Sequence, residues 1–129
     1  MPTDVEHTAV YRDNRTVLDG SGGLLSTNSR WAAVVAFYAA VHLIERLAAQ
    51  DGCHHTRHSG ANSRQIYLAA HPVHHVLLHH LTALRTASEL ARYHSLSTFE
   101  SAFPAADVDE QLVGVHLRAI EQYVLNASP

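Results

Sequence analysis

Residues Trp31–His58 read WAAVVAFYAAVHLIERLAAQDGCHHTRH, a long apolar helix that stops at Asp51-Gly52 and gives way to a loop of histidine and arginine. Stepping by three and four residues puts Trp31, Val35, Tyr38, His42 and Glu45 on one face. Phe37, Val41, Ile44 and Ala48 fall on an adjacent, wholly apolar face. The second face suits a core. The first is too polar for a core interior and too apolar for free solvent, so it reads as a partner surface or a cleft.

The rest of the chain divides into further helical segments. Residues from Asp4 to about Asp19 predict a first helix, closed by Gly20-Ser21-Gly22-Gly23. Ser26, Thr27 or Asn28 caps the second helix, which runs to about Gln50. A loop from Cys53 to Gly60 precedes a short helix from about Asn62 to Ala70. Pro72 either separates it from the next helix or occupies that helix's first turn. The fourth helix spans about Val73 to His94, with Leu77, Leu81, Leu84, Ser88 and Ala91 inward. After an irregular stretch through Pro104, Asp107 caps a fifth helix whose Leu112, Val115, Ile120 and Val124 point inward. No strand pattern competes. The expected fold is all-α, an up-and-down bundle of about five helices in a single domain over residues 1–129.

With 129 residues, 47% of them hydrophobic, the chain can fill one core and is not disordered throughout. Its longest run free of charged or strongly polar residues, Trp31 to Val41, falls short of the roughly 18 residues of a membrane-spanning helix. A soluble protein with no membrane partner is therefore expected. No basic start followed by an apolar segment marks a secretory signal, and Cys53 alone forms no internal disulfide, which points to the cytoplasm. All nine basic residues are arginine, beside many alanines, a bias in keeping with a GC-rich bacterial genome. The formal charge is −3 with histidines neutral, and protonation of the twelve histidines reverses its sign. Any polyanion site is thus a local patch with pH-dependent affinity.

The segment AFYAAVHLIERLAAQDG, then HHTRHSGANSR, then the helix ending SELARYH resembles the HEPN family of small prokaryotic helical domains. The spacing is most similar to members with an AFYAxxH helix, a His-and-Arg loop and a long helix ending in an Ala-Arg-Tyr triplet. The resemblance covers roughly residues 30 to 125. It implies a bundle that pairs with itself across long helices, in many members a metal-independent endoribonuclease working in toxin–antitoxin or anti-phage defence. Such enzymes carry an Arg followed a few residues later by a His, usually on a late helix. Here the fitting pair is Arg64 and His71, with six residues between, whereas the late helix offers only Arg85 and His94.

By that resemblance the candidate catalytic residues are His58, Arg64 and His71, and the candidate nucleic-acid-binding residues are Arg57, Arg64, Arg92 and Tyr93. Arginine forks hold phosphate in bidentate fashion, a neutral histidine accepts a 2′-hydroxyl proton, and Tyr38 or Tyr93 can stack a base. Each residue also has a plainer reading. Tyr38 and His42 fit a helix interface, with Glu45 one turn away to orient the imidazole. Arg92 fits the carbonyl end of its helix. Trp31, Val35, Tyr38 and His42 are the expected dimer interface.

Two histidine series raise a metal reading. His71, His75 and His79 recur at four-residue intervals, as do His54 and His58, a spacing that can set two imidazoles on one ion. His-Glu-x-x-His is absent, Cys53 has no cysteine partner, and the fourth helix has no acid before Glu89. No metal or other cofactor is assigned; adventitious nickel or zinc binding is the preferred reading. The function expected is a HEPN-like dimeric domain, non-catalytic or weakly binding RNA or a nucleotide. Two alternatives stand beside it: a metal-independent endoribonuclease, and a helical module for a nucleotidyltransferase-type partner protein encoded nearby.

Overall fold

A computed structural model describes residues 3–52, 64 and 67–126, and every regular element among them is helical. Helix α1 is Asp4–Leu18, capped by the Thr3 hydroxyl, which accepts the Glu6 amide. Gly20, at φ +84°, supplies the left-handed residue that ends it. A single helical turn, α2 (Leu24–Thr27), leads to α3 (Ser29–Gln50), whose Asn28 cap accepts the Trp31 amide at 3.2 Å. Gly52, at φ +78°, closes α3.

Residues 67–70 are helical, and a 3₁₀ turn, Pro72–His74, leads into α4 (Val76–Tyr93). Pro72 thus separates two helices and also starts the turn that feeds the second. The stretch expected to be irregular before Pro104 contains a further helix, α5 (Leu96–Ala102). Its Ser95 cap accepts the Thr98 amide at 3.2 Å, and its Phe99 is fully buried. A seven-residue helix with one inward aromatic has too short a period to stand out in sequence.

The last helix, α6 (105–126), is continuous through three segments: Ala105–Asp107, π-helical Val108–Leu117 and Arg118–Asn126. The wider π turn resets which residues face inward. Val108, Leu112, Val113 and Leu117 are buried at spacings of four and five, and then Ile120 and Val124 follow at the ordinary helical period. Val115, expected inside, is consequently 44% exposed.

The long helices run up and down. Asp51 at the end of α3 meets His74 before α4, Arg30 at the start of α3 reaches the carbonyl oxygens of Ala91 and His94, and His74 and His80 meet Tyr123 and His116 of α6. The molecule is an all-α bundle. Helix α3 is its axis: α1, α4 and α6 all pack on it, and Phe37, Val41, Leu43, Ile44 and Leu47 are buried among them. Seven alanines of α3 let those neighbours approach; Ala32, Ala33, Ala36, Ala39, Ala40 and Ala48 are fully covered. Burying each large apolar side chain contributes about 1.5–3 kcal/mol. Among the described residues α3 is the one helix long and apolar enough to cross a bilayer, and 67% of its apolar window is buried inside the bundle. Its apolarity is accounted for by the core.

Candidate functional site

The semi-polar stripe of α3 and the end of α4 form one surface. Trp31 and Tyr38, two helical turns apart, are 49% and 39% exposed, with Val35 half-buried between them. Helix α4 runs antiparallel beside them and ends in Arg92 and Tyr93. The Arg92 guanidinium lies 4.9 Å from the centre of the Tyr93 ring and 6.0 Å from that of Tyr38. It also donates to the Tyr38 hydroxyl and to the Ser88 carbonyl oxygen, each at 3.4 Å. Tyr93 is 72% exposed. Ser88 below them is fully buried and its hydroxyl has no hydrogen-bond partner among the described residues.

Further along α3 the stripe is covered within the chain. His42 faces His7 of α1, Nδ1 to Nδ1, at 3.1 Å. Burial, then the neighbouring His7 and Arg64 charges, hold His42 below the usual histidine range. Glu45 pairs with Arg64 at 3.4 Å. Burial raises the Glu45 carboxyl against the pull of Arg64, and burial lowers Arg64 against the pull of Glu45. Both partners shift toward their neutral forms, so desolvation outweighs the pairing. Arg64 remains a cation, given how far its ordinary value lies above neutrality. Arg85, on the same side, donates to Glu89 at 2.9 Å.

Of the residues Tyr38, His42, Arg57, His58, Arg64, Arg92 and Tyr93 that the resemblance singles out, Arg92 meets Tyr38 and Tyr93, and Arg64 lies near Tyr38 and His42. Arg64 and His71 have different described partners. His71 sits half-buried with its Nδ1 2.8 Å from the Tyr67 carbonyl oxygen and its ring 4.6 Å from the Tyr67 ring. Nδ1–H donates there, which leaves the Nε2 lone pair available when the ring is neutral. Arg57 and His58 lie outside the described residues, as do Cys53 and His54.

A network that the sequence did not announce lies around Asp51. Its Oδ2 accepts from the Tyr67 hydroxyl at 2.5 Å and from His74 Nε2 at 3.0 Å. His74 Nδ1 is 2.8 Å from the Tyr123 hydroxyl, which itself donates to the Val73 carbonyl oxygen at 2.6 Å. Both His74 nitrogens therefore face acceptors. The histidine spacing drew attention to His71, His75 and His79, but His75 Nε2 turns to the Ala69 carbonyl oxygen. His79 instead meets His80 and His116. No family model, curated protein or solved structure matches the chain.

Proposed function

We propose that the chain is a HEPN-like, non-catalytic interaction domain that pairs with a second copy of itself through the surface of Trp31, Val35, Tyr38, Arg92 and Tyr93. The observation that carries this reading is the exposure of three aromatic side chains, beside the half-buried Arg92, on one side of two antiparallel helices. Tryptophan, tyrosine and arginine dominate the energetics of protein interfaces, because each covers a large area at low conformational cost. A surface on two antiparallel helices is also readily self-complementary across a two-fold axis.

Electrostatics favours a protein over a phosphate on this side. Among the described residues Arg64 is engaged by Glu45 and Arg85 by Glu89, which leaves Arg92 to meet a phosphate on this surface. Strong phosphate binding needs several cations committed to the backbone of the nucleic acid. RNA contact on this reading is weak and comes from Arg92 with Tyr38 or Tyr93.

The chain contains a single tryptophan, and it lies on the proposed interface. Quenching of Trp31 fluorescence by acrylamide should be suppressed at tens of micromolar and restored by Tyr38→Glu. Quenching as strong as a half-exposed indole allows, at every concentration and in both proteins, overturns the reading.

A further inference from the structure

Helix α4 carries His79 and His80 in consecutive positions, and the π-helical stretch of α6 carries His116 opposite them. The two helices run antiparallel there, and His80 and His116 face each other, Nδ1 to Nδ1, at 2.9 Å. His79 completes the group: one ring nitrogen from each of the three lies within 4.8 Å of the others. Their ring centroids form a nearly equilateral triangle with sides of 5.2, 5.4 and 5.2 Å, and the planes are inclined at 59°, 74° and 53°.

That triangle has the dimensions of three imidazoles around one ion. A ring nitrogen about 2.05 Å from zinc puts its imidazole centroid about 3.2 Å from the metal, so tetrahedrally disposed imidazoles have centroids about 5.2 Å apart. Adjacency in the chain accounts for the His79–His80 side and a pairwise hydrogen bond for the His80–His116 side, which leaves the approach of His79 to His116 on another helix without a cause. Convergence on a common point accounts for all three. Around zinc the nitrogens sit about 3.3 Å apart, so His80 and His116 open by a few tenths of an ångström while the His79 nitrogen, within 4.8 Å of the others, closes by up to about 1.5 Å.

We propose that His79, His80 and His116 bind one zinc ion, with a fourth coordination position open to solvent on the exposed His79 side. Ligand nitrogens must be unprotonated, and burial, followed by the neighbouring imidazoles, holds His80 and His116 below the usual histidine range. Imidazole suits zinc, copper and nickel, and the absence of carboxylate oxygen from the triad disfavours calcium and magnesium. The π turn is part of the site. It carries Val115 outward and sets His116 against α4, in keeping with the frequent use of such turns at functional positions. Three neutral ligands leave the ion its full charge, so a water in the fourth position becomes acidic enough to act as hydroxide near neutrality. The ion also ties α4 to α6.

Twelve histidines make location, not binding alone, the decisive readout. The full chain, stripped with chelator, is titrated with Zn²⁺, and its thermal midpoint is followed; Co²⁺ serves as the spectroscopic probe. Expected are one tight equivalent, visible bands of a tetrahedral cobalt centre, and a midpoint that rises with free metal. His79→Ala and His116→Ala should each weaken binding at least about a hundredfold and abolish the rise with the circular dichroism unchanged. His75→Ala should change nothing. If His116→Ala fails to fold, the exposed His79→Ala decides alone. Tight binding that survives His79→Ala, or failure of the stripped chain to bind zinc more tightly than His79→Ala does, overturns the site.

Discussion

Asp51 Oδ2 and His74 Nε2 lie 3.0 Å apart, joining the last residue of the α3 boundary to the turn that starts α4. The Tyr123 hydroxyl, on the other side of the imidazole, extends the link to α6, so three elements meet on one ring. Tyr123→Phe removes the acceptor of His74 and the donor to Val73 while keeping the aromatic volume. It should cost about 1–3 kcal/mol in chemical denaturation, the usual penalty for leaving partly buried polar groups unmatched. A cost below the error of the measurement would show the network to be incidental.

Acid should weaken the same link. The Tyr67 hydrogen bond first, and the His74 contacts after it, hold the Asp51 carboxyl below the usual carboxylate range against a cost of burial. A carboxyl lowered in the folded state stabilises fully above its unfolded value of about 3.9, and that contribution is lost as pH falls through the folded value. Asp51→Asn should therefore be less stable than the parent at pH 6, with the gap closing as the pH drops below about 4. A gap independent of pH would remove the carboxylate from the account.

Ser88 offers a gain rather than a loss. Its hydroxyl is fully buried in α4 without a hydrogen-bond partner among the described residues, and alanine has the highest helix propensity. Ser88→Ala should raise stability by about 1 kcal/mol. A loss of similar size would reveal a hydrogen bond that the hydroxyl makes in solution.

Helix α6 tests the π turn directly. Val115→Glu replaces an exposed residue and should change stability by no more than about 0.5 kcal/mol, whereas Val113→Glu buries a charge and should unfold the protein or cost several kcal/mol. An unbroken α-helical period continued from Val108 and Leu112 would exchange the two results.

That pair also marks how far the sequence could be read. The inward residues of α4 were legible because Leu77, Leu81, Leu84, Ser88 and Ala91 keep one helical period throughout. The division of α3 into a buried face and a half-exposed stripe was legible for the same reason. Val115 was misplaced because no composition signal announces a change from i→i+4 to i→i+5 bonding. Helix α5 was hidden by its length. At the candidate sites, side-chain types were visible but their partners were not. Spacing within one helix suggested His71, His75 and His79, while the partner that His79 and His80 meet lies on another helix, 36 positions beyond His80. His7 beside His42, and Asp51 beside His74, likewise depend on how helices cross, which no local pattern encodes.

The central claim is self-pairing through α3 and α4, and the solution mass tests it most directly. Light scattering after size exclusion at tens of micromolar should give twice the 14.2 kDa chain mass for the parent and a single chain mass for the double variant Trp31→Glu, Tyr93→Glu, with equal helical content. A parent of single chain mass, or a double variant that stays paired, would contradict it.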